Sequence, residues 1–188
     1  MITIKAAPRL PGFDATDKDV ARMIRVDHAG EHGAVEIYRG QRAVFGALPH
    51  KAELAETLRV MEEGEAEHLT TFNRMLAERR VRPTLLSPLW SVAGFGLGAV
   101  TALMGEKAAM ACTAAVEEVI EEHYARQAET LDAADPAFAR TVRAFRDDEL
   151  QHKRTAEDHG AREAPGYGVL KAVIQAGCRA AIRLSEKI

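Results

Sequence analysis

Apolar residues recur at three- and four-residue spacing along most of this chain, which is typical of amphipathic helices. The clearest stripe predicts a helix from about Lys51 to Arg80. Its inward positions are Leu54, Leu58, Met61, Glu65, His68, Leu69, Phe72 and Leu76. Four other helices are predicted from near Thr16 to before Pro49, through Glu117 to about Leu131, after Asp135-Pro136, and from about Tyr167 to Glu186.

Length and composition agree with helices packed on helices. The 188 residues fit one domain with a full core. Hydrophobic residues make up 47% of the chain and aromatic residues only 5%. Residues 1–13 lack the apolar core of a signal peptide, and we expect residues 1–15 to be flexible. The sequence therefore predicts an all-α fold in a single domain, residues 1–188.

Six potential metal ligands interrupt the apolar stripes in two similar sets. They are Glu31, Glu65 and His68 in the first half, and Glu117, Glu149 and His152 in the second. In each half a lone glutamate precedes a Glu-x-x-His pair by nearly the same distance, and residues three apart share one face of a helix. This is the ligand set of di-iron or di-manganese carboxylate proteins, so we expect a ferritin-like four-helix bundle with a buried di-metal site.

Charge also favours two metal ions at this site. A buried unpaired carboxylate costs several kcal/mol in lost hydration, so four inward glutamates require cations. Two Fe(II) ions would bring four positive charges against the four carboxylates. Helix register selects Glu117 over Glu118, because the Glu118 face also carries Glu121, Glu122 and Glu129, which belong in water. An accidental match of surface residues is disfavoured by the duplicated spacing.

Other polar residues lie near the six in the predicted register. Tyr38 and Tyr124 each follow the lone glutamate of their half by two helical turns, so they line the site or pack in the core. Asp148 can accept the free N–H of a histidine on a neighbouring helix, although solvated acidic residues are common on bundle helices. His123 lies about 120° from the inward face and is expected at the mouth of the site. His28 and His32 flank Glu31 by a turn or less and could support the ligands from outside, but the favoured interpretation is that they are ordinary polar residues.

The segment Pro83–Gly105 contains no charged side chain. It is long enough to cross a bilayer, which takes about 20 apolar residues. A crossing would place Glu65 and Glu149 on opposite sides of the membrane, so the two half-sites would never meet. We therefore expect residues 83–105 to lie in the membrane interface, or to dip into it and return. The last helix, residues 166–187, is amphipathic and suits the same interface.

Residues that flank the uncharged segment are of the kinds found at membrane surfaces. Trp90 suits the headgroup boundary, and Arg79, Arg80 and Arg82 suit anionic lipid. These features predict a peripheral membrane protein. The alternative is that the apolar surface is buried in a homodimer.

Three other classes are disfavoured by composition and context. The formal net charge of −3 offers no basic face for nucleic acid. Gly94, Gly96 and Ala99 fit the spacing of a dinucleotide fingerprint, but no strand precedes them, so we reject a Rossmann fold. Cys112 and Cys178 stand singly on apolar stretches, which indicates free buried thiols in a reducing compartment rather than a disulfide scaffold.

The chain resembles the 5-demethoxyubiquinone hydroxylases of ubiquinone biosynthesis from about Arg22 to Ile188. The matching strings are RVDHAGEHGA (25–34), FNRMLAERRVRPT (72–84), PLW (88–90), MACTAAVEE (110–118), FRDDELQH (145–152) and VLKAVIQAGCRAAIRLSE (169–186). The resemblance implies that the six residues selected by spacing are the iron ligands. It also implies a role for the pair His123-Tyr124 in NADH-driven reduction. The loop Gly46–His50 is short and residues 1–13 do not match.

The resemblance further implies a di-iron monooxygenase that hydroxylates a polyprenyl benzoquinone or quinol with O2. Its cofactors would be two iron ions per chain, with NADH or the substrate quinol as reductant. Its place would be the cytoplasmic face of a bacterial inner membrane, or the matrix side of a mitochondrial inner membrane. A homodimer or a lipid-presenting accessory protein is left open. The alternatives are a ferritin-like iron-storage or detoxification protein and a di-manganese catalase.

Overall fold

The computed structural model describes residues 17–188 and contains six α-helices in that range, with no strand among them. The helices are α1 (Asp17–Phe45), α2 (Ala52–Arg79), α3 (Ser87–Leu103), α4 (Glu106–Ala134), α5 (Pro136–Asp158) and α6 (Tyr167–Ser185). The predicted all-α class is confirmed. The predicted helix start at Thr16 and the predicted flexibility of residues 1–15 lie outside the described residues.

Four long helices, α1, α2, α4 and α5, form a bundle around the predicted inward stripes. The pairs α1–α2 and α4–α5 are packed along their lengths, and α4 also contacts α1. One apolar cluster includes Phe45, Leu58 and Met110, and a second includes Ile24 and Phe138. The first cluster lies at one end of the bundle and the second at the other. The six predicted metal ligands therefore lie between two apolar layers.

Local signals in the sequence set several helix ends. The side chain of Asp135 accepts a hydrogen bond from the backbone N–H of Phe138 at 3.0 Å, and Pro136 is the first residue of α5, as predicted. Helix α2 ends where Arg80 adopts a left-handed conformation with φ 54°. Helix α4 continues to Ala134, three residues beyond its predicted end.

The uncharged segment forms one continuous helix, α3, that packs along α1. The predicted interface segment, residues 83–105, thus contains a single helix, and its place in the membrane stays a prediction. A Cβ atom added to Gly94 would lie 2.8 Å from the carbonyl oxygen of Gly33, and one added to Gly98 would overlap the carbonyl oxygen of Ile37. These glycines let the two backbones meet directly. Among the described residues, no helix is both long enough and apolar enough to span a membrane.

Helix α6 packs on α4, so α3 and α6 cover the α1–α4 side of the bundle. The indole N–H of Trp90 donates to Ser185 Oγ at 3.0 Å and joins the start of α3 to the end of α6. Trp90 is half-buried, and its polar atom thus has a partner within the protein. Apolar side chains remain exposed on this side: Leu85, Leu89, Val92, Phe95, Val100, Leu103 and Met104 on or beside α3, and Val169, Val173 and Leu184 on α6.

Candidate metal centre

The bundle brings all six predicted residues together. Helix α1 contributes Glu31, α2 contributes Glu65 and His68, α4 contributes Glu117, and α5 contributes Glu149 and His152. Their potential ligand atoms form two groups, each within 4.8 Å: Glu31, Glu65, His68 and Glu149, and Glu65, Glu117, Glu149 and His152. Because Glu65 and Glu149 belong to both groups, the arrangement has two centres that share a pair of carboxylates.

These six residues hold most of the unsatisfied polar atoms of the core. In residues 17–188, ten buried side-chain nitrogen or oxygen atoms have no hydrogen-bond partner, and eight of them belong to the six. The four glutamates are at most 1% exposed. Such atoms cost about 1–3 kcal/mol each unless something binds them. Carboxylate and imidazole donors in this number fit two divalent transition-metal ions such as iron or manganese.

Both histidines turn Nδ1 toward the glutamates. The Nδ1 atom of His68 lies 3.4 Å from Glu149 Oε1 and 3.5 Å from Glu31 Oε2. Its Nε2 donates to Asp148 Oδ2 at 3.1 Å, which is the contact predicted for Asp148. The imidazole also stacks on Phe145 with the ring centroids 3.8 Å apart. The hydrogen bond and the stacked ring together fix the orientation of the imidazole.

The two tyrosines contact the site in a crossed pattern. The Tyr38 hydroxyl on α1 donates to Glu117 Oε1 on α4 at 2.5 Å. The Tyr124 hydroxyl on α4 donates to Glu31 Oε1 on α1. Each lone glutamate is therefore held by the tyrosine of the other half. Core packing alone, the alternative that the sequence left open, does not describe these residues.

Burial and mutual proximity shift the pKa of the clustered groups. Burial raises the pKa of Glu31 and Glu117 well above the usual carboxyl range. Burial also acts to raise the pKa of Glu65, but the two imidazoles beside its carboxylate lower it to about 2. Burial disfavours a charged His152, yet the adjacent carboxylates raise its pKa to about 11. Protons therefore compete with metal ions for these atoms.

His123 lies outside the six, as predicted, and contacts an acidic residue that the sequence analysis missed. Its Nε2 donates to Asp27 Oδ1 at 3.0 Å, and Gln127 Nε2 donates to Asp27 Oδ2 at 2.9 Å. Burial raises the pKa of Asp27, although both partners oppose the shift. The signal was available, because Asp27 precedes Glu31 by four residues and so shares its face of α1.

The remaining histidines of α1 join helices. His28 Nε2 lies 3.1 Å from Asn73 Oδ1 on α2, and His32 Nε2 lies 2.7 Å from Ser91 Oγ on α3. Both Nε2 atoms thus contact side chains of neighbouring helices. Their interpretation as polar residues outside the centre agrees with these contacts.

The all-α bundle has a ferritin-like fold, and the four glutamates and two histidines in its core, in two overlapping groups, match the donor set of dinuclear carboxylate proteins. Comparison with known proteins narrows the class. The family described as "Ubiquinone biosynthesis protein COQ7" matches residues 18–185, and the chain belongs to this family.

Relatives in three organisms carry hydroxylase names. The chain is 49% identical over 183 residues to the "3-demethoxyubiquinol 3-hydroxylase" of Rhodospirillum rubrum, covering 97% of this chain and 85% of that protein. It is 50% identical over 173 residues to the human "NADPH-dependent 3-demethoxyubiquinone 3-hydroxylase, mitochondrial", covering 90% and 78%. It is 41% identical over 191 residues to the Saccharomyces cerevisiae "5-demethoxyubiquinone hydroxylase, mitochondrial", covering 93% and 81%.

Proposed function

We propose that this chain hydroxylates the ring of a demethoxyubiquinone or demethoxyubiquinol, with O2 and a reductant, in ubiquinone biosynthesis. The observation that carries the proposal is the buried six-residue cluster in a chain about half identical to relatives named as such hydroxylases. An iron-storage protein or a di-manganese catalase would use similar ligands. Neither is favoured, because the relatives compared carry hydroxylase names.

The six clustered residues would hold two iron ions per chain. The ligands are Glu31, Glu65, His68, Glu117, Glu149 and His152. Four carboxylates against two Fe(II) ions give a centre close to neutral, which lowers the free energy of burying it. When bound, the iron ions would supply the O2-dependent chemistry of ring hydroxylation.

The surrounding residues would position the ligands and exclude water. Tyr38 and Tyr124 each hold one oxygen of a lone glutamate, so the other oxygen is free to bind metal. Asp148 accepts a hydrogen bond from His68 Nε2–H, which leaves Nδ1 as the lone-pair donor toward the glutamates. The apolar clusters on both sides keep bulk water from the centre, where hydrogen bonds and charges act more strongly.

The exposed apolar side chains of α3 and α6 would rest in the membrane interface. Val92 is 74% exposed and Val173 is 65% exposed, so both helices present apolar surface to their surroundings. A polyprenyl quinone resides in that layer, and the chain would take it up there. Arg80 and Arg82 are exposed and can contact anionic headgroups. Arg79 is instead paired with Asp135 at 2.5 Å, so it contributes less than predicted.

We place the chain at the cytoplasmic face of a bacterial inner membrane, or at the matrix side of a mitochondrial one. The names of the human and yeast relatives include "mitochondrial", and the Rhodospirillum rubrum relative is bacterial. A second copy of this chain, or a lipid-presenting protein, would compete with the membrane for the same apolar surface.

Electrons would come from a nicotinamide or from the substrate quinol. The human relative is named NADPH-dependent, whereas the family resemblance implied NADH as the nicotinamide. His123 and Tyr124 are adjacent to this chemistry in our proposal, because Tyr124 contacts Glu31 and His123 reaches a surface cavity of about 210 Å³. His123→Ala should keep its iron, lose rate with nicotinamide, and recover part of that rate with chemically reduced quinol. Loss of iron in His123→Ala would contradict its place outside the ligand set.

The proposal is tested by a matched pair of substitutions on α2. Glu65→Ala removes a carboxylate shared by both centres, so iron content and hydroxylation should both fall sharply. Glu63→Ala removes an exposed carboxylate that pairs with Arg59, and it should leave both properties unchanged. Iron is measured by elemental analysis, and the hydroxylated quinone by mass spectrometry. Full iron content in Glu65→Ala would refute the ligand set, and an inactive wild type with iron bound would refute the reaction.

A further inference from the structure

A cleft of about 390 Å³, lined by both polar and apolar residues, lies between α2 and α5, on the side of the bundle away from α3 and α6. These two helices contact each other less than α1 contacts α2 or α4 contacts α5. The cleft is lined by the polar side chains of Glu67, His68, Asp148, Gln151 and His152, by Gly64, and by the apolar side chains of Val60 and Phe145. The cleft therefore reaches two of the six clustered residues from the outside.

The floor of the cleft is formed by the imidazoles of His68 and His152. The side chain of His152 is 13% exposed and that of His68 is 5% exposed, whereas those of Glu65 and Glu149 are fully buried. The Nδ1 atoms of both histidines lack hydrogen-bond partners. A Cβ atom on Gly64 would lie 3.4 Å from His152 Nε2. The absence of a side chain at Gly64 thus keeps space open above the His152 ring.

The rim of the cleft suits a hydrated cation. Glu67 and Asp148 are exposed carboxylates, and Gln151 adds an exposed amide. By contrast, the cavity beside His123 includes Arg22 and Arg126 and none of the six residues. The remaining side, covered by α3 and α6, is apolar, and dehydrating a divalent ion against such a surface is costly. Carboxylates at a cleft mouth raise the local cation concentration.

We propose that the α2–α5 cleft is the route by which Fe(II) reaches the six-residue centre, with Gly64 keeping the passage open. This inference rests on the proposed metal ligands. It gives the bundle two functional sides: the apolar surface of α3 and α6 for the quinone, and the cleft with Glu67 and Asp148 at its rim for ions. Iron would pass Glu67 and Asp148, meet the two imidazoles, and move on to the buried carboxylates.

The test measures the rate of metal uptake by the full chain after its metal has been removed with a chelator. Co(II) is used as the probe because its visible absorption changes on binding and needs no O2. Gly64→Leu places additional carbon atoms over the His152 ring and should slow uptake about tenfold or more, while the final Co(II) content stays that of wild type. Ala66→Leu adds the same side chain at an exposed position outside the cleft and should bind at the wild-type rate.

A second pair of variants tests charge without blocking the passage. Gln151→Lys puts a positive charge on the rim and should slow uptake about fivefold at low salt, with less effect at high salt. Gln151→Met has similar length without charge and should match wild type. Wild-type rates in both Gly64→Leu and Gln151→Lys would overturn the route while leaving the ligand set intact. A wild-type chain that takes up no Co(II) would overturn both proposals.

Discussion

Helix α3 packs closely against α1 at Gly98 but not at Gly96. We therefore expect glycine-to-alanine substitution to lower the stability of the fold at Gly98 and to raise it at Gly96. A Cβ atom added to Gly98 would overlap the carbonyl oxygen of Ile37 and lie 2.8 Å from its carbonyl carbon. Because these are backbone atoms, the overlap is relieved only if α3 as a whole moves away from α1. A Cβ atom added to Gly96, two residues away on the same helix, meets nothing within 4 Å.

The magnitudes follow from these two environments. Overpacking costs about 1–3 kcal/mol, and a backbone overlap belongs near the upper value. Alanine in place of glycine inside a helix stabilises the helix by about 1 kcal/mol. Gly98→Ala should therefore lose about 2 kcal/mol, and Gly96→Ala should gain up to about 1 kcal/mol. At roughly 2–4 °C per kcal/mol for a chain of this size, Tm should fall in the first variant and rise in the second.

The assay is thermal unfolding followed by circular dichroism at 222 nm, a helix signal, with metal-free protein to remove the contribution of bound ions. Gly96→Ala is the matched control, since both changes add one methyl group to α3. If Gly98→Ala also raises Tm, α3 does not pack against the backbone of α1. If both variants lower Tm equally, the close approach at Gly98 is not the cause.

Three further predictions concern the centre and the membrane. Tyr38→Phe and Tyr124→Phe should each weaken metal binding about tenfold, because each removes the hydrogen bond to one glutamate oxygen. Affinity is measured by competition with a chelator, and an effect of only one of the two variants would contradict the crossed arrangement. Metal affinity should rise with pH. The pKa values of both histidines and of two glutamates are raised, so protons must leave these groups when metal binds. Titrations at pH 6.5 and 8 that give equal affinity would refute this. Replacing Arg80 and Arg82 by Gln should weaken binding to anionic vesicles, measured by co-sedimentation, by about 1 kcal/mol per charge. Binding that is unchanged by these substitutions and by salt would favour an apolar dimer, which a mass measurement in solution would detect.

The ligand positions were predictable because helix geometry links sequence spacing to direction. A Glu-x-x-His pair must present both side chains on one face, and the apolar stripe around it shows that this face is buried. The same reasoning separated Glu117 from its neighbour Glu118, which is half-buried and pairs with Lys153 and Lys171. Periodicity alone therefore located all six residues that the structure brings together.

Relations between helices were not predictable in this way. The periodicity of one helix does not say which helix lies opposite, so the donation from Tyr38 to Glu117 was not foreseen. The packing of the uncharged segment on α1 was not foreseen for a related reason, because a helix that meets its neighbour through glycines and faces outward with valine and leucine has the composition of a membrane segment. The spacing of Gly94 and Gly98, four residues apart on one face, was a signal for close helix packing.

The central claim, that this cluster uses O2 to hydroxylate a quinone ring, is tested most directly with isotopically labelled O2. The iron-loaded chain is incubated in detergent or vesicles with a demethoxyubiquinol and labelled O2, and the product is analysed by mass spectrometry. We expect a ring hydroxyl that carries one labelled oxygen atom, and no product from Glu117→Ala. A hydroxyl oxygen derived from water, or no hydroxylated product from the iron-loaded wild type, would contradict it.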